Sequence, residues 1–419
     1  MTATESRVRA LRIETTPVDG IRSLVFFADR RDPLLWMRSG EGFVGIGEAL
    51  RLEFSGPTRF ADAAEAWRDV AARAEVTDPV RRPGTGLVAF GAFAFSDESA
   101  ATSVLIVPEM IVGRRGSLSW VTRIAPIEGT DAGAGRRRSD PIATAFGDDY
   151  RVPLRPGELS PAGFMDAVAS AVRHISEHDL RKVVLARDLV GTVPAGCDLR
   201  RVLAELAIGY PDCWTFSVDG LFGSSPETLV RSESGTVSAR VLAGTAPRGR
   251  EALSDESAAA SLARSAKDVE EHGFAVQSVL ATLGPHTNRL QSSRPFTLRL
   301  PNLWHLATDV EGVLHDGSTS LDLVAAMHPT AAVAGTPTDA ALALIDELEP
   351  FDRGRYAGPV GWIDAAGDGE WAIALRCAQV SPDDTVRAYA GCGIVADSVP
   401  ADELAESRIK FRPIVEVFA

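Results

Sequence analysis

Apolar positions follow two rhythms along this chain. In the first 125 residues they come in short alternating or continuous runs bounded by glycine, proline or charge. Ser23 to Phe27, Leu34 to Met37, Gly42 to Ala49, Leu87 to Phe95 and Ser103 to Val107 are predicted to be strands. Phe60, Ala64, Trp67 and Ala71 break this rhythm and recur at helical spacing. From Ser160 the helical rhythm strengthens. Ser160 can cap a helix that has Pro161 at its first position and Phe164, Val168, Val172 and Ile175 along one face. Lys182 to Val190 follows as a mostly buried strand. Asp198 opens a helix with Leu199, Val202, Leu203 and Leu206 turned inward and Gly209 at its end.

The second half alternates in the same way. Leu221 to Gly249 is predicted to run strand, turn, strand, then a tight loop at Leu242-Ala243-Gly244-Thr245. Ser254 to Leu283 is predicted to be one long helix closed by Gly284-Pro285. Leu303 to Gly312 is a strand carrying His305, and short helices start at Ser320 and Thr338. Arg355 to Trp362 is a strand with Tyr356, Gly367-Asp368-Gly369 a hairpin turn, and Glu370 to Val380 a strand interrupted by Arg376. A last helix begins near Ala401.

Composition narrows the class. The 419 residues are 45% hydrophobic and 24% charged, as in ordinary globular chains, and suffice for one large or two ordinary domains. A net charge of −14 argues against nucleic acid or anionic lipid as partner, and requires local cations or a metal wherever an anion binds. Cys197, Cys213, Cys377 and Cys392 are scattered, with no zinc or disulfide spacing. With no apolar leader and no spanning run, the expectation is a reduced, cytoplasmic protein. Gly45-Ile46-Gly47 is too short for a dinucleotide fingerprint. The Gly- and Arg-rich stretch Gly129 to Pro141, with Arg136 to Arg138, is expected to be an exposed loop.

Several residues carry candidate chemistry, each with a plainer alternative. Glu227 follows a small-residue bend and faces the donor-rich stretch around Gly244, which suits protonation of a leaving group; the alternative is a surface glutamate on a hairpin. Lys182 begins a buried strand, either as a snorkelling edge residue or as a base pointing into a site. Arg376 inside an apolar strand needs a buried anionic partner, which is more often a protein carboxylate than a ligand. Gly391-Cys392-Gly393 permits close approach of backbone to a ligand. Two helices each show an acidic pair at i, i+3, Asp268 with Glu271 and Glu403 with Glu406. Facing each other, the pairs would hold Mg²⁺ through oxygen ligands; apart, they are solvated helix faces.

Taken together the motifs resemble the chorismate-utilising enzymes. KVVLAR at Lys182, FGSSPETL around Glu227, LAGT at Leu242, KDVEEH from Lys267, HPT at His328, RYAGPVGW at Arg355, LRC at Arg376 and GCGIV followed by ELAESRIK stand in the family's order over about residues 160 to 410. The resemblance implies an α/β (α+β) fold, a single large sandwich of mainly antiparallel sheets with helices packed outside. Residues 1–155 would then be a strand-rich part of the same fold, and residues 156–419 the chorismate-binding catalytic region.

The resemblance also implies roles. Lys182 matches the base that activates water, and Glu227 the acid that protonates the departing ring hydroxyl. Glu271 and Glu406 match Mg²⁺ ligands, with Asp268 and Glu403 supporting them. Gly244, Thr245, Tyr356, Arg376, Gly393 and Lys410 match positions that hold substrate carboxylates, and His305 a histidine beside the ring. The implied activity is isochorismate synthase, an isomerase that adds water at ring carbon 2 of chorismate as the carbon-4 hydroxyl leaves. Its product would feed menaquinone or catechol siderophore biosynthesis. Salicylate synthase, which adds a pyruvate-eliminating step, is the alternative; a non-catalytic binder would be expected to have lost Lys182 or Glu227. Ammonia-using members carry Gln where Lys182 stands, so no glutaminase partner is expected; aminodeoxychorismate synthases carry a lysine where Ala243 stands. The chain departs from the family pattern at Ala331, Cys392 and Leu404.

Overall fold

The longest strand pairings define two mainly antiparallel sheets, the pair Leu11–Val18 with Glu75–Thr77 being parallel. The computed structural model describes residues 10–127, 140–249, 251–299 and 303–419, without the side chains of residues 252, 267 and 271. Lys182–Thr192 is rich in Val and Leu, is buried from Val183 to Asp188, and pairs antiparallel with Thr385–Ile394, from Val183 opposite Ile394 to Thr192 opposite Thr385. The sheet built on this pair continues through Cys377–Val380, Leu221–Ser225, Trp214–Val218, Leu34–Arg38, Glu41–Ile46, Met110–Arg115, Leu118–Pro126, Leu11–Val18 and Glu75–Thr77. The second sheet runs Thr287–Ser292, Leu303–Leu314, Thr236–Pro247, Thr228–Glu233, Gly369–Ile373, Pro359–Asp364, Val88–Ala92, Ser103–Val107 and Leu50–Phe54. Each sheet therefore joins a block of N-terminal strands to a block of later ones, meeting where Leu34–Arg38 pairs with Trp214–Val218 and where Val88–Ala92 pairs with Pro359–Asp364.

The sheets pack face to face through large apolar side chains. Phe43 from the first sheet meets Phe90 and Trp362 from the second, edge to face, at 5.3 and 5.5 Å between ring centroids. Trp36 donates its indole N–H to Glu370 across the same interface at 3.0 Å. Outside, the helices Pro161–Glu177, Thr338–Leu348 and Pro400–Val417 cover the face of Lys182–Thr192 in one apolar cluster that includes Phe164, Val168, Leu185, Leu344 and Leu404. Ser160 caps the first of these helices by accepting from the Gly163 N–H at 3.0 Å, with Pro161 next, as the sequence predicts. Among the described residues no helix is long and apolar enough to cross a membrane.

Several predicted elements differ. Ser23 to Phe27 is not a strand; Val25–Phe27 is a single 3₁₀ turn. The predicted strand Gly42 to Ala49 ends at Ile46. Ser254 to Leu283 is two helices, Ala252–Arg264 and Ala266–Leu283, because Ser265 takes an extended conformation and caps the second by accepting from the Asp268 N–H. Arg355 and Tyr356 lie in turns before the strand Pro359–Asp364. The run Glu370 to Val380 splits into Gly369–Ile373 in one sheet and Cys377–Val380 in the other. Leu11–Val18, Met110–Arg115 and Leu118–Pro126 are further strands. Arg136 to Arg138 lie outside the described residues.

Candidate active site

The chain passes from one sheet to the other twice at the same place. Leu221–Ser225 belongs to the first sheet and Thr228–Glu233 to the second, so Pro226-Glu227 is one crossover. Ala374-Leu375-Arg376 is the other, running back from Gly369–Ile373 to Cys377–Val380. The two are laced together. The Ser225 hydroxyl donates to the Ile373 carbonyl at 2.6 Å, the Ile373 N–H donates to the Glu227 carbonyl at 3.1 Å, and the Ser224 N–H donates to the Arg376 carbonyl at 3.1 Å. Arg376 adopts φ +49°, the left-handed region, where the chain turns between sheets. The small residues of FGSSPE thus serve close strand contact: a Cβ at Gly223 would stand 2.7 Å from the Arg376 carbonyl oxygen.

These crossovers open into a cavity of about 220 Å³. Its walls include Lys182, Glu227, Gly244, Thr245, Asp268 and His305, and also Tyr356, Arg376, Gly393, Glu403, Glu406 and Lys410. The structure therefore gathers every site residue read from the sequence except Glu271. Glu271 lies on the helix Ala266–Leu283 with Asp268, but its side chain is outside the described residues.

Each wall has a local cause. Lys182 starts its strand and lies across Gly393, where a Cβ would meet Lys182 Cε at 2.7 Å. The predicted loop at Leu242 to Thr245 is instead a bulge in the strand Thr236–Pro247. Register with Leu303–Leu314 shifts between Ala243 and Thr245, and Gly244 sits at φ +77°. This brings the backbone close to the next helix, since a Cβ at Gly244 would stand 3.2 Å from Asp268 Cβ. Thr245 then faces His305 across the ladder, with Oγ1 3.1 Å from Nδ1. Tyr356 is 4% exposed and stacks on Tyr389 at 5.1 Å. Lys410 donates to the Gly391 carbonyl at 2.9 Å and pairs with Glu406 at 2.6 Å.

The electrostatics sort these groups by role. Burial pushes the Glu227 carboxyl up to about 7, although Arg376, Lys182 and Lys410 all pull it down. A protonated fraction is therefore available near neutral pH. Burial, reinforced by Arg376 and Lys410, drives His305 down to about 3, so its ring is neutral. His305 Nε2 is buried without a hydrogen-bond partner among the described residues, a cost that a bound polar ligand would remove. Burial alone would raise the Glu406 carboxyl, but Lys410 outweighs it and holds the group below its ordinary value. No carboxylate of the described residues pairs with the Arg376 guanidinium, so the anionic partner expected for it is not supplied by them.

Cys392 Sγ and the carboxylates of Glu403 and Glu406 offer donor atoms within 4.8 Å of one another. The Cys392 thiol is pushed up to about 12 by burial and donates to the Glu403 carbonyl at 3.2 Å, so it stays a neutral thiol. What remains are carboxylate oxygens, with Asp268 on the same cavity, a hard donor set that fits Mg²⁺. Ser398, not singled out from the sequence, lines the cavity and donates to Glu403 Oε1 at 2.7 Å. The signal was its place just ahead of the acidic helix.

The family model described as chorismate binding enzyme matches residues 2–419. Isochorismate synthase DhbC of Bacillus subtilis (strain 168) is 40% identical over 282 residues, 64% of this chain and 70% of that protein. Putative isochorismate synthase MenF of Mycobacterium tuberculosis (strain CDC 1551 / Oshkosh) is 35% identical over 350 residues, 80% of this chain and 87% of that protein. Among solved structures, the putative 2,3-dihydroxybenzoate-specific isochorismate synthase DhbC from Bacillus anthracis superposes with a TM-score of 0.75 at 29% identity, covering 94% of this chain and 98% of that one.

Proposed function

The chain belongs to the chorismate-binding enzyme family, and from that premise we propose that it is an isochorismate synthase, supported by relatives of that name over most of its length. The observation that carries this reading is the presence of Lys182 and the buried Glu227 on one cavity.

Chorismate is a dianion, and an acidic protein must gather cations to hold it. Arg376 lacks a carboxylate partner among the described residues and takes a substrate carboxylate, assisted by Tyr356, Lys410 and the backbone at Gly244, Thr245 and Gly393. His305 presents its unpartnered Nε2 to the ring and its enolpyruvyl substituent. Lys182 takes a proton from water as that water attacks ring carbon 2. The ring double bonds shift, the carbon-4 oxygen departs, and Glu227 supplies its proton. One water enters and one leaves, and the product is isochorismate.

Asp268, Glu271, Glu403 and Glu406 would hold Mg²⁺ beside the substrate. When bound, the ion would neutralise carboxylate charge and draw electron density from the ring. Isochorismate would feed menaquinone or catechol siderophore synthesis.

The test is incubation of the purified protein with chorismate and Mg²⁺. Isochorismate should form with the wild type and fail to form with Lys182→Ala, a variant expected to stay folded. No isochorismate from the wild type, or near wild-type turnover in Lys182→Ala, would overturn the reading.

A further inference from the structure

A second cavity, of about 190 Å³, lies behind Glu227. It shares two lining residues with the first, Glu227 and Ala332, so the acid stands where the two meet. Its outer end is formed by Ser278 on the helix Ala266–Leu283 and Ala326 on the helix Ser320–Met327, both exposed. Within it, Thr330 Oγ1 is buried and has no hydrogen-bond partner among the described residues. A buried hydroxyl left unpaired is costly, and the ready partner in a cavity that reaches the surface is water. Thr282 and Thr228 add further hydroxyls to the walls.

The reaction proposed above makes a specific demand at this spot. As the C2–O bond forms, the C1=C2 pair moves to C6=C1, the C5=C6 pair moves to C4=C5, and the C4–O bond breaks. The attacking water gives one proton to Lys182, and Glu227 gives one proton to the departing oxygen. A new water molecule is therefore left between the ring and Glu227, and Glu227 is left as a carboxylate. The ring fills the front cavity, so neither the water nor the replacement proton can pass on that side until the product leaves.

We propose that the rear cavity is a water passage through which the water formed at ring carbon 4 departs and Glu227 regains its proton, with Thr330 as a positioning residue for that water. The inference rests on the isochorismate synthase reading and deepens it. It makes the passage, rather than the product's own exit, the route that resets the acid.

Ala326→Trp and Ser278→Phe fill the outer end, and Thr330→Val keeps the shape while removing the hydroxyl. With chorismate as substrate, kcat should fall roughly tenfold, well within the ~10²–10⁴ that acid catalysis is worth. KM and melting temperature should stay unchanged, and the solvent deuterium isotope effect on kcat should grow because proton return becomes limiting. Unchanged kcat in Ala326→Trp and Thr330→Val overturns the passage. So does a fall in kcat with raised KM and an unchanged isotope effect, which would mean that the variants reshape the site. A wild type inert towards chorismate would contradict the activity itself; an active wild type with unaffected variants strikes the passage alone.

Discussion

The side chain of Lys182 lies across Gly393, so that a Cβ at residue 393 would stand 2.7 Å from Lys182 Cε and 3.3 Å from Nζ. The clash is with the far end of a flexible side chain, not with backbone. Gly393→Ala should therefore fold normally and move the amine. The expected result is a loss of roughly 10–100 in kcat, part of what a general base supplies, with an unchanged denaturation midpoint. Kinetics beside a denaturant titration checks it; an unstable Gly393→Ala protein would show that the glycine serves the sheet and not the lysine.

The position of Glu227 sets a pH dependence. The forward reaction needs its protonated form, which is lost as pH rises through about 7. The pH profile of kcat/KM should therefore bend downward near that point. Glu227→Gln should bind chorismate and lose turnover. The sign for stability follows from the same shift: the folded value lies above the ordinary 4.5, so the group's contribution is present at low pH and is lost as pH rises through about 7. Glu227→Gln should thus melt above the wild type at pH 8 and show no such gain at pH 4. Melting curves at the two pH values check this.

Two arginines should respond differently to removal. Arg376 has no carboxylate partner among the described residues, so Arg376→Gln should raise the KM for chorismate on the order of 10–100-fold with little loss of stability. Arg353 pairs with Glu349 at 2.6 Å with both side chains at most 3% exposed, and it also donates to the Val184 and Val333 carbonyls. Arg353→Met should cost about 3–5 kcal/mol by leaving Glu349 buried without its counter-charge, with the Ala186 N–H still donating to it. Thermal unfolding of the two variants side by side separates a binding arginine from a structural one.

Removal of metal should stop the reaction. EDTA should abolish activity and added Mg²⁺ restore it, with Glu406→Ala and Asp268→Ala shifting the Mg²⁺ requirement upward. Gly244→Ala should act in the same direction, because φ +77° disfavours a side chain and the new Cβ would press on Asp268 at 3.2 Å. Mg²⁺ titrations of initial rate check this; full activity in EDTA would make the acidic pairs ordinary helix faces.

Much of this arrangement was legible where one periodicity dominates. Phe164, Val168 and Ile175 marked a helix face that is buried as expected, and Ser160 marked its start. The break at Ser265 was not legible, since serine is tolerated within a helix and only the local φ/ψ shows it acting as a cap. The crossovers were hidden for a different reason. Residues 370–380 are apolar on both faces, and burial on both faces erases the alternation that would assign a strand to one sheet. Arg376, the one cation in that run, was the visible trace of the turn between sheets. Gly244 read as a loop because a bulge inside a strand leaves the same glycine signature as a turn.

The most direct measurement follows ring products by chromatography and pyruvate by a lactate-dehydrogenase couple in one time course at neutral pH, with chorismate and Mg²⁺. The account predicts approach to a reversible chorismate–isochorismate mixture with little pyruvate. Stoichiometric pyruvate and salicylate would contradict it.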